Sequence, residues 1–260
     1  MILDEICDHK RQEVASRKHT APLARLEERI KESPPTRGFR AALREPGISL
    51  IAEIKRASPS KGTMLDDVDP IDLAFLYEQN GARAISVLTD ERYFKGTLDD
   101  LTSARQNVAL PCLRKEFVID EYQVYEARAA QADAVLLIVR ALSDPQLKDF
   151  IELSTALGMD ALVEAHDAKE IEQALGAGAH IVGINNRDLA SFEVNLATTI
   201  ELRRFVSGGH VLVSESGIHS REHVRMLEDS GVDAILVGEA LVTSNDIGGK
   251  IRELLGLDEA

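Results

Sequence analysis

The hydrophobic pattern of the chain changes once, near residue 48. Ahead of that point apolar residues recur at helical spacing. Leu3–Lys18 and Pro22–Glu32 read as amphipathic helices and Phe39–Arg44 as a short third. Pro34-Pro35 breaks the chain between them, because proline lacks a backbone donor and clashes with the preceding turn. Beyond residue 48, short apolar runs alternate with helical stretches. The runs predict strands at Ser49–Lys55, Ala84–Thr89, Ala109–Arg114, Ala134–Val139, Asp160–Glu164, Ile181–Asn185, His210–Ser214 and Ala234–Val237. Pro70–Gln79, Asp120–Gln131, Asp144–Leu157, Ala168–Gly176 and Arg221–Ser230 carry helical periodicity. Strands that alternate with helices call for a parallel sheet.

A repeat decides how that sheet is arranged. Gly81-Ala82-Arg83-Ala84-Ile85, Gln131-Ala132-Asp133-Ala134-Val135, Gly178-Ala179-His180-Ile181-Val182 and Gly231-Val232-Asp233-Ala234-Ile235 resemble one another, with starts 50, 47 and 53 residues apart. Each closes a helix, turns and enters a strand. Such a period holds two strand–helix units, so these are the entrances to strands two, four, six and eight. The predicted fold class is α/β: a (β/α)8 TIM barrel over residues 48–260, behind an N-terminal helical extension over residues 1–47. An open doubly wound sheet is disfavoured by the absence of G-x-G-x-x-G after the first strand. The length of 260 residues suits one such barrel, typically about 250 residues long.

Composition narrows the partners. The chain has 30 basic and 44 acidic residues, a formal charge of −14. That field repels nucleic acid and anionic lipid, so neither is expected as a partner, and an anionic substrate needs local Lys and Arg. Cys7 and Cys112 lack metal-ligand spacing and are expected as reduced thiols of a cytoplasmic protein. No apolar run approaches the roughly 18 residues of a membrane span. The N-terminus MILDEICDHKRQEV is too charged for a signal peptide. His166, His180, His210, His219 and His223 show no metal pattern and are expected on the surface or in loops, with His166 notable for its nearness to Glu164. No metal is expected.

In a barrel of this kind the chemistry sits at the C-terminal ends of the strands. Strand one ends Ile51-Ala52-Glu53-Ile54-Lys55, and alternation puts Ile51, Glu53 and Lys55 on one face. Two inward charges cost several kcal/mol to desolvate unless paired or used. The loop Arg56–Gly62 is basic and polar, an expected mobile, anion-contacting segment. Strand three brings Lys115 to the rim beside Phe117, strand five brings Glu164, and strand six brings Asn185 and Arg187. Strand seven ends Ser214-Glu215-Ser216-Gly217-Ile218 and strand eight Val237-Gly238-Glu239. Backbone N–H groups near such glycines, with a short helix N-terminus after strand eight, form the usual phosphate position of these barrels.

These segments carry a resemblance. Ile51–Gly62 closely resembles the signature of the indole-3-glycerol-phosphate synthase family. Leu113-Arg114-Lys115-Glu116-Phe117, Leu162-Val163-Glu164, Gly183–Leu189 and Ser214–Ile218 follow in that family's order and spacing. The resemblance covers essentially the whole chain. It implies conversion of 1-(2-carboxyphenylamino)-1-deoxyribulose 5-phosphate to indole-3-glycerol phosphate, CO2 and water in tryptophan biosynthesis, with no metal or organic cofactor. It implies Lys115 as the general acid at the ketone, and Glu53 with Lys55 for the dehydration and the carboxylate. It implies Glu164 as base or charge stabiliser, Asn185 and Arg187 as positioning groups, and Ser58, Phe117 and Glu215 as substrate contacts. Ser216, Gly217, Gly238 and Glu239 would hold phosphate while the Ser58–Ser60 loop closes over the site. Glu239 departs from the small residue expected there, so only its backbone N–H is expected to contribute, the side chain turned away.

Two other readings stay open: another phosphate-binding barrel enzyme, such as a phosphoribosylanthranilate isomerase-like sugar isomerase, and a non-catalytic barrel subunit. That isomerase uses a Cys on strand one, where this chain offers Glu53 and Lys55. The chain is expected to be monofunctional, and association with other tryptophan-pathway enzymes is left open.

Overall fold

The computed structural model describes residues 2–59, 62–64, 69–188 and 191–257. Eight parallel strands close into a barrel: β1 (Ser49–Ile54), β2 (Ala84–Leu88), β3 (Cys112–Lys115), β4 (Ala134–Ile138), β5 (Asp160–Ala165), β6 (Ile181–Asn185), β7 (Val211–Glu215) and β8 (Ala234–Val237). The ring closes where β1 pairs with β2 on one side and β8 on the other.

The strands divide the core in two, as alternation requires. One set of side chains, including Leu50, Ala52, Ile54, Ile85, Val87 and Val135, packs outward against the helices. The other, including Ile51, Ala84, Leu113, Leu136, Leu162, Val213 and Leu236, fills the barrel. Followed toward the C-terminal ends, the inward parity runs through Ile51 to Glu53, Leu113 to Lys115, Leu162 to Glu164 and Val213 to Glu215. The apolar core and the charged mouth are therefore two ends of the same faces.

The four repeat segments are four copies of one helix stop. Gly81, Gln131, Gly178 and Gly231 have φ of 101°, 69°, 94° and 78°. The next residue donates its N–H five residues back in each case: Ala82 to Tyr77, Ala132 to Ala127, Ala179 to Ala174 and Val232 to Leu227, at 2.9–3.1 Å. This is the six-to-one bond of a Schellman cap, which satisfies a late helical carbonyl and reverses the chain. Glycine suits three of these left-handed positions, and Gln131 takes the fourth.

The structure corrects two readings of the pattern. β3 begins at Cys112 and not at Ala109. Pro111 has no ladder donor to give, and the Ala109 N–H is taken by Glu78 Oε1 at 2.7 Å. The helix Leu98–Asn107 was not foreseen because its sequence, LDDLTSARQN, is largely polar. It is held by a Thr97/Asp100 capping box and a buried ion pair from Arg105 Nε to Asp133 Oδ2 at 2.7 Å.

The N-terminal helices cover both ends of the barrel. Phe39 and Leu43, from the short helix Phe39–Leu43, are fully buried in the barrel-interior cluster and close its floor. Helix Ile2–Thr20 reaches the other end, where Lys10, 1% exposed, pairs with Asp90 at 2.9 Å and with Glu116 at 3.1 Å. Glu116 adjoins Lys115, so the first helix is tied directly behind the mouth. Among the described residues, no helix is long and apolar enough to cross a membrane.

Candidate active site

A cavity opens at the C-terminal ends of the strands, and every site residue nominated from the sequence lines it. β1 brings Glu53, with Lys55 just beyond it. Lys55 Nζ lies 2.7 Å from Glu53 Oε1. Lys115, the last residue of β3, donates to Glu215 Oε2 of β7 at 2.6 Å and to Glu164 Oε2 of β5 at 3.1 Å. Lys115, Glu164 and Glu215 are all largely withdrawn from water.

Glycines make room for two of these carboxylates. A Cβ on Gly238 would stand 2.3 Å from Glu53 Oε1, and one on Gly183 would stand 2.3 Å from Glu215 Oε1. Gly238 therefore houses an acidic side chain, besides any part it has in holding phosphate.

Burial and charge pull against each other here. Burial alone would depress the Lys115 ammonium, but Glu215, Glu164 and Glu53 outweigh it and hold its proton more tightly than usual. Burial pushes Glu215 up to about 7 against the pull of Lys115, with the negative charge of Glu164 adding to the rise. For Glu164, burial is overcome by Lys115 and His166, and its carboxyl sits below the ordinary range. Two neighbouring carboxylates thus differ in proton affinity, the pattern that separates acid from base roles. Glu215 Oε1 is buried and has no hydrogen-bond partner among the described residues.

The remaining wall has two chemistries. Ile2, Leu3 and Ile6 of the first helix join Phe94 and Phe117, whose rings are 6.0 Å apart, in an apolar surface. On the other side Ser216 and Gly217 form a turn with φ of 70° and 81°. The turn is anchored by Asn186, whose buried side chain donates to the carbonyls of Glu215 at 3.0 Å and Ser216 at 3.1 Å. Arg187 N donates to Asn185 Oδ1 at 3.0 Å.

Several expectations change. The Glu239 side chain does not turn away: Arg187 Nη2 meets its Oε2 at 3.4 Å along the cavity wall. An arginine close by neutralises the carboxylate that seemed misplaced. The Arg56 guanidinium is turned sideways, donating to Asp100 Oδ1 at 2.9 Å, so its charge anchors the loop. Ala57–Ser58 and Gly62–Thr63 pair as a two-stranded ribbon, with Ser58 and Pro59 on the cavity wall. Ser60, Lys61 and Leu189 lie outside the described residues. His166 lies in the loop after β5, as expected, but not on the surface: its ring is 5% exposed and stands behind Glu164.

The sequence reading missed Ile2, Leu3, Ile6, Phe94, Phe192 and His219 as cavity residues. The Ile2–Leu3–Ile6 stripe was visible as helix amphipathicity, but the pattern does not say what the stripe covers. Asn186 stood inside a recognised motif, and only the fold shows that it braces the next strand end. Among the described residues, no group of three His, Cys, Asp or Glu side chains could hold a metal.

A sequence model of the family described as indole-3-glycerol phosphate synthase matches residues 3–254. The indole-3-glycerol phosphate synthase of Roseiflexus sp. strain RS-1 is 51% identical over 264 residues, covering 98% of each chain. That of Chlorobaculum tepidum is 47% identical over 94% of this chain and 96% of its own. Among solved structures, a thiamine phosphate pyrophosphorylase from Pyrococcus furiosus superposes with a TM-score of 0.61 at 18% identity, covering 84% of this chain and 98% of its own. That likeness speaks for the barrel alone.

Proposed function

The chain belongs to the indole-3-glycerol phosphate synthase family, and from that premise we propose how its cavity divides the work of a carboxy-lyase acting on a phosphorylated small molecule. The substrate is 1-(2-carboxyphenylamino)-1-deoxyribulose 5-phosphate. Its ring carbon bearing the carboxylate attacks the ketone carbon, a carbon–carbon bond forms, and the carbonyl electron pair moves to oxygen. Lys115 stands beside that oxygen and gives it a proton. Its proton is held by two carboxylates at 2.6 and 3.1 Å. Protonation of Glu215, whose carboxyl is pushed up to about 7, removes one of them and eases the transfer.

CO2 then leaves, and the electrons of the broken bond restore the aromatic ring, so the protein has only to hold the intermediate and exclude water. In the last step the new hydroxyl departs as water with a proton from Lys55, which Glu53 orients at 2.7 Å. Glu164, kept ionised, takes the proton from the adjacent carbon. The apolar wall of Phe94, Phe117 and Ile6 receives the aryl ring. Backbone N–H groups of Ser216, Gly217, Gly238 and Glu239 receive the phosphate, with the Glu239 carboxylate neutralised by Arg187. Asn185 and Arg187 position the substrate between these ends, and Ser58 closes over it. Neither nucleic acid nor membrane takes part.

The observation that carries this reading is the buried Glu164–Lys115–Glu215 cluster at the cavity wall. The test is formation of indole-3-glycerol phosphate by the purified protein and by Lys115→Ala. The variant is expected to lose on the order of 10³-fold in kcat with its fold and product binding intact. A variant that turns over at near the wild-type rate removes Lys115 from the chemistry.

A further inference from the structure

His166 follows the last residue of β5, two positions after Glu164. Its ring lies behind the cavity wall, 5% exposed. Nδ1 is 3.1 Å from Glu170 Oε2, on helix Ala168–Gly176, and the same oxygen accepts the His166 backbone N–H at 2.8 Å. The other Glu170 oxygen accepts from Arg140 Nε at 2.6 Å, in the turn that follows β4. Asp167 Oδ2 lies 3.8 Å from the same guanidinium. On its far side, His166 Nε2 lies 3.5 Å from Glu164 Oε1, with no hydrogen-bond partner among the described residues. Glu164 Oε2 is held by Lys115. The Glu164 carboxylate thus meets Lys115 and Asn185 on the cavity side, and His166 stands behind its Oε1.

We propose that His166 is a positioning residue for the reaction: its Nε2 fixes the orientation of the Glu164 carboxylate, and the Arg140–Glu170 pair fixes His166. The inference rests on the reading of Glu164 as a group that acts on substrate. Lys115 and Asn185 hold the carboxylate from the cavity side, and the imidazole 3.5 Å behind Oε1 limits its rotation about the terminal bond by contact and charge, which preorganises the group. The charges agree. For His166, burial is overcome by the hydrogen bond to Glu170 and the charge of Glu164, so its proton is held more firmly than usual. Burial also works against the Glu170 charge, but bonds from His166 and Arg140 bring its carboxyl down to about 2. The charge that His166 carries when protonated favours the ionised form of Glu164.

The two ring nitrogens give a test that separates this role from a structural one. His166→Gln places an amide nitrogen near the position of Nε2 and keeps the reach to Glu164. His166→Asn places it near Nδ1, keeping the tie to Glu170 and losing Glu164. We expect Asn to lower kcat on the order of tenfold with KM little changed, and Gln to recover most of that loss. In both variants the acidic limb of the kcat profile moves to higher pH, because loss of the neighbouring cation raises Glu164. Asn equal to or faster than Gln overturns the proposal and leaves His166 as a tie between strand end and helix. Glu164→Gln is measured alongside. If it retains near-normal kcat, the role of Glu164 itself falls. If it is slow while Asn matches Gln, only the role of His166 falls. An NMR titration of the His166 imidazole serves should the His166 variants not fold. Its pKa is expected to be lower in Glu164→Gln than in the unsubstituted protein, and an equal value overturns the proposal.

Discussion

Asp133 at the floor of the barrel and Glu215 at its mouth are both buried carboxylates reached by inward or strand-end positions, and they are treated in opposite ways. Asp133 uses both oxygens: Oδ2 accepts from Arg105 Nε at 2.7 Å and Cys112 N at 2.8 Å, and Oδ1 accepts from Arg37 N at 2.7 Å. Glu215 binds Lys115 through one oxygen and leaves the other without a partner among the described residues. A satisfied buried carboxylate stabilises its surroundings, whereas a half-satisfied one costs stability and remains available to a ligand. The same contrast holds for the glycines: those of the repeat set backbone direction at the floor, while Gly183 and Gly238 clear space for acids at the mouth. Fold stability is concentrated at one end and reactivity at the other.

The sharpest way to break this contrast is at the floor. Asp133→Ala leaves Arg105 buried without its counter-ion, a loss of roughly 3–5 kcal/mol. For a domain of this size that lowers Tm by on the order of 10 °C, read by calorimetry, with kcat at 25 °C unchanged. A large fall in kcat at full stability would show that the floor is not separate from the chemistry. At the mouth, Gly238→Ala should do the reverse. The new Cβ displaces Glu53 from Lys55, and kcat is expected to fall about 10²-fold with Tm nearly kept. If KM rises instead while kcat holds, Gly238 serves the phosphate and not Glu53.

The smallest effect is a matter of pH. Glu215 has its carboxyl raised to about 7 by burial, so the folded state resists its ionisation. The unfolded chain releases that proton near pH 4.5, and the folded protein therefore loses stability as pH rises from about 4.5 through about 7. Glu215→Gln has no proton to lose. Its Tm relative to the unsubstituted protein should climb by a few degrees between pH 5 and pH 8, at roughly 2–4 °C per kcal/mol. A Tm difference that stays flat with pH would mean that Glu215 is ionised throughout.

Much of the site was legible before the fold. Glu53 and Lys55 sit two apart at a strand end, so period-two alternation gave them a shared face. The direction of Glu239 was not legible, because it depends on Arg187, fifty-two positions away in sequence. Nor was the burial of His166, which follows from Glu170 and Arg140 arriving from two other segments. The helix Leu98–Asn107 escaped because its apolar face is only Leu98, Leu101 and Ala104, and a capping box and a buried ion pair add the rest of its support.

The amino-acid sequence by itself determined the strand–helix alternation, the helix stops at Gly81, Gln131, Gly178 and Gly231, and the inward parity of the charged strand ends. Those features depend on neighbours a few residues away, through backbone dihedrals and side-chain period. Only the tertiary structure decided which charges pair, which helix walls the cavity and which carboxylate oxygen stays open. Such outcomes depend on barrel closure, which brings residues a hundred positions apart, such as Lys115 and Glu215, within 2.6 Å and sets their proton affinities by mutual burial.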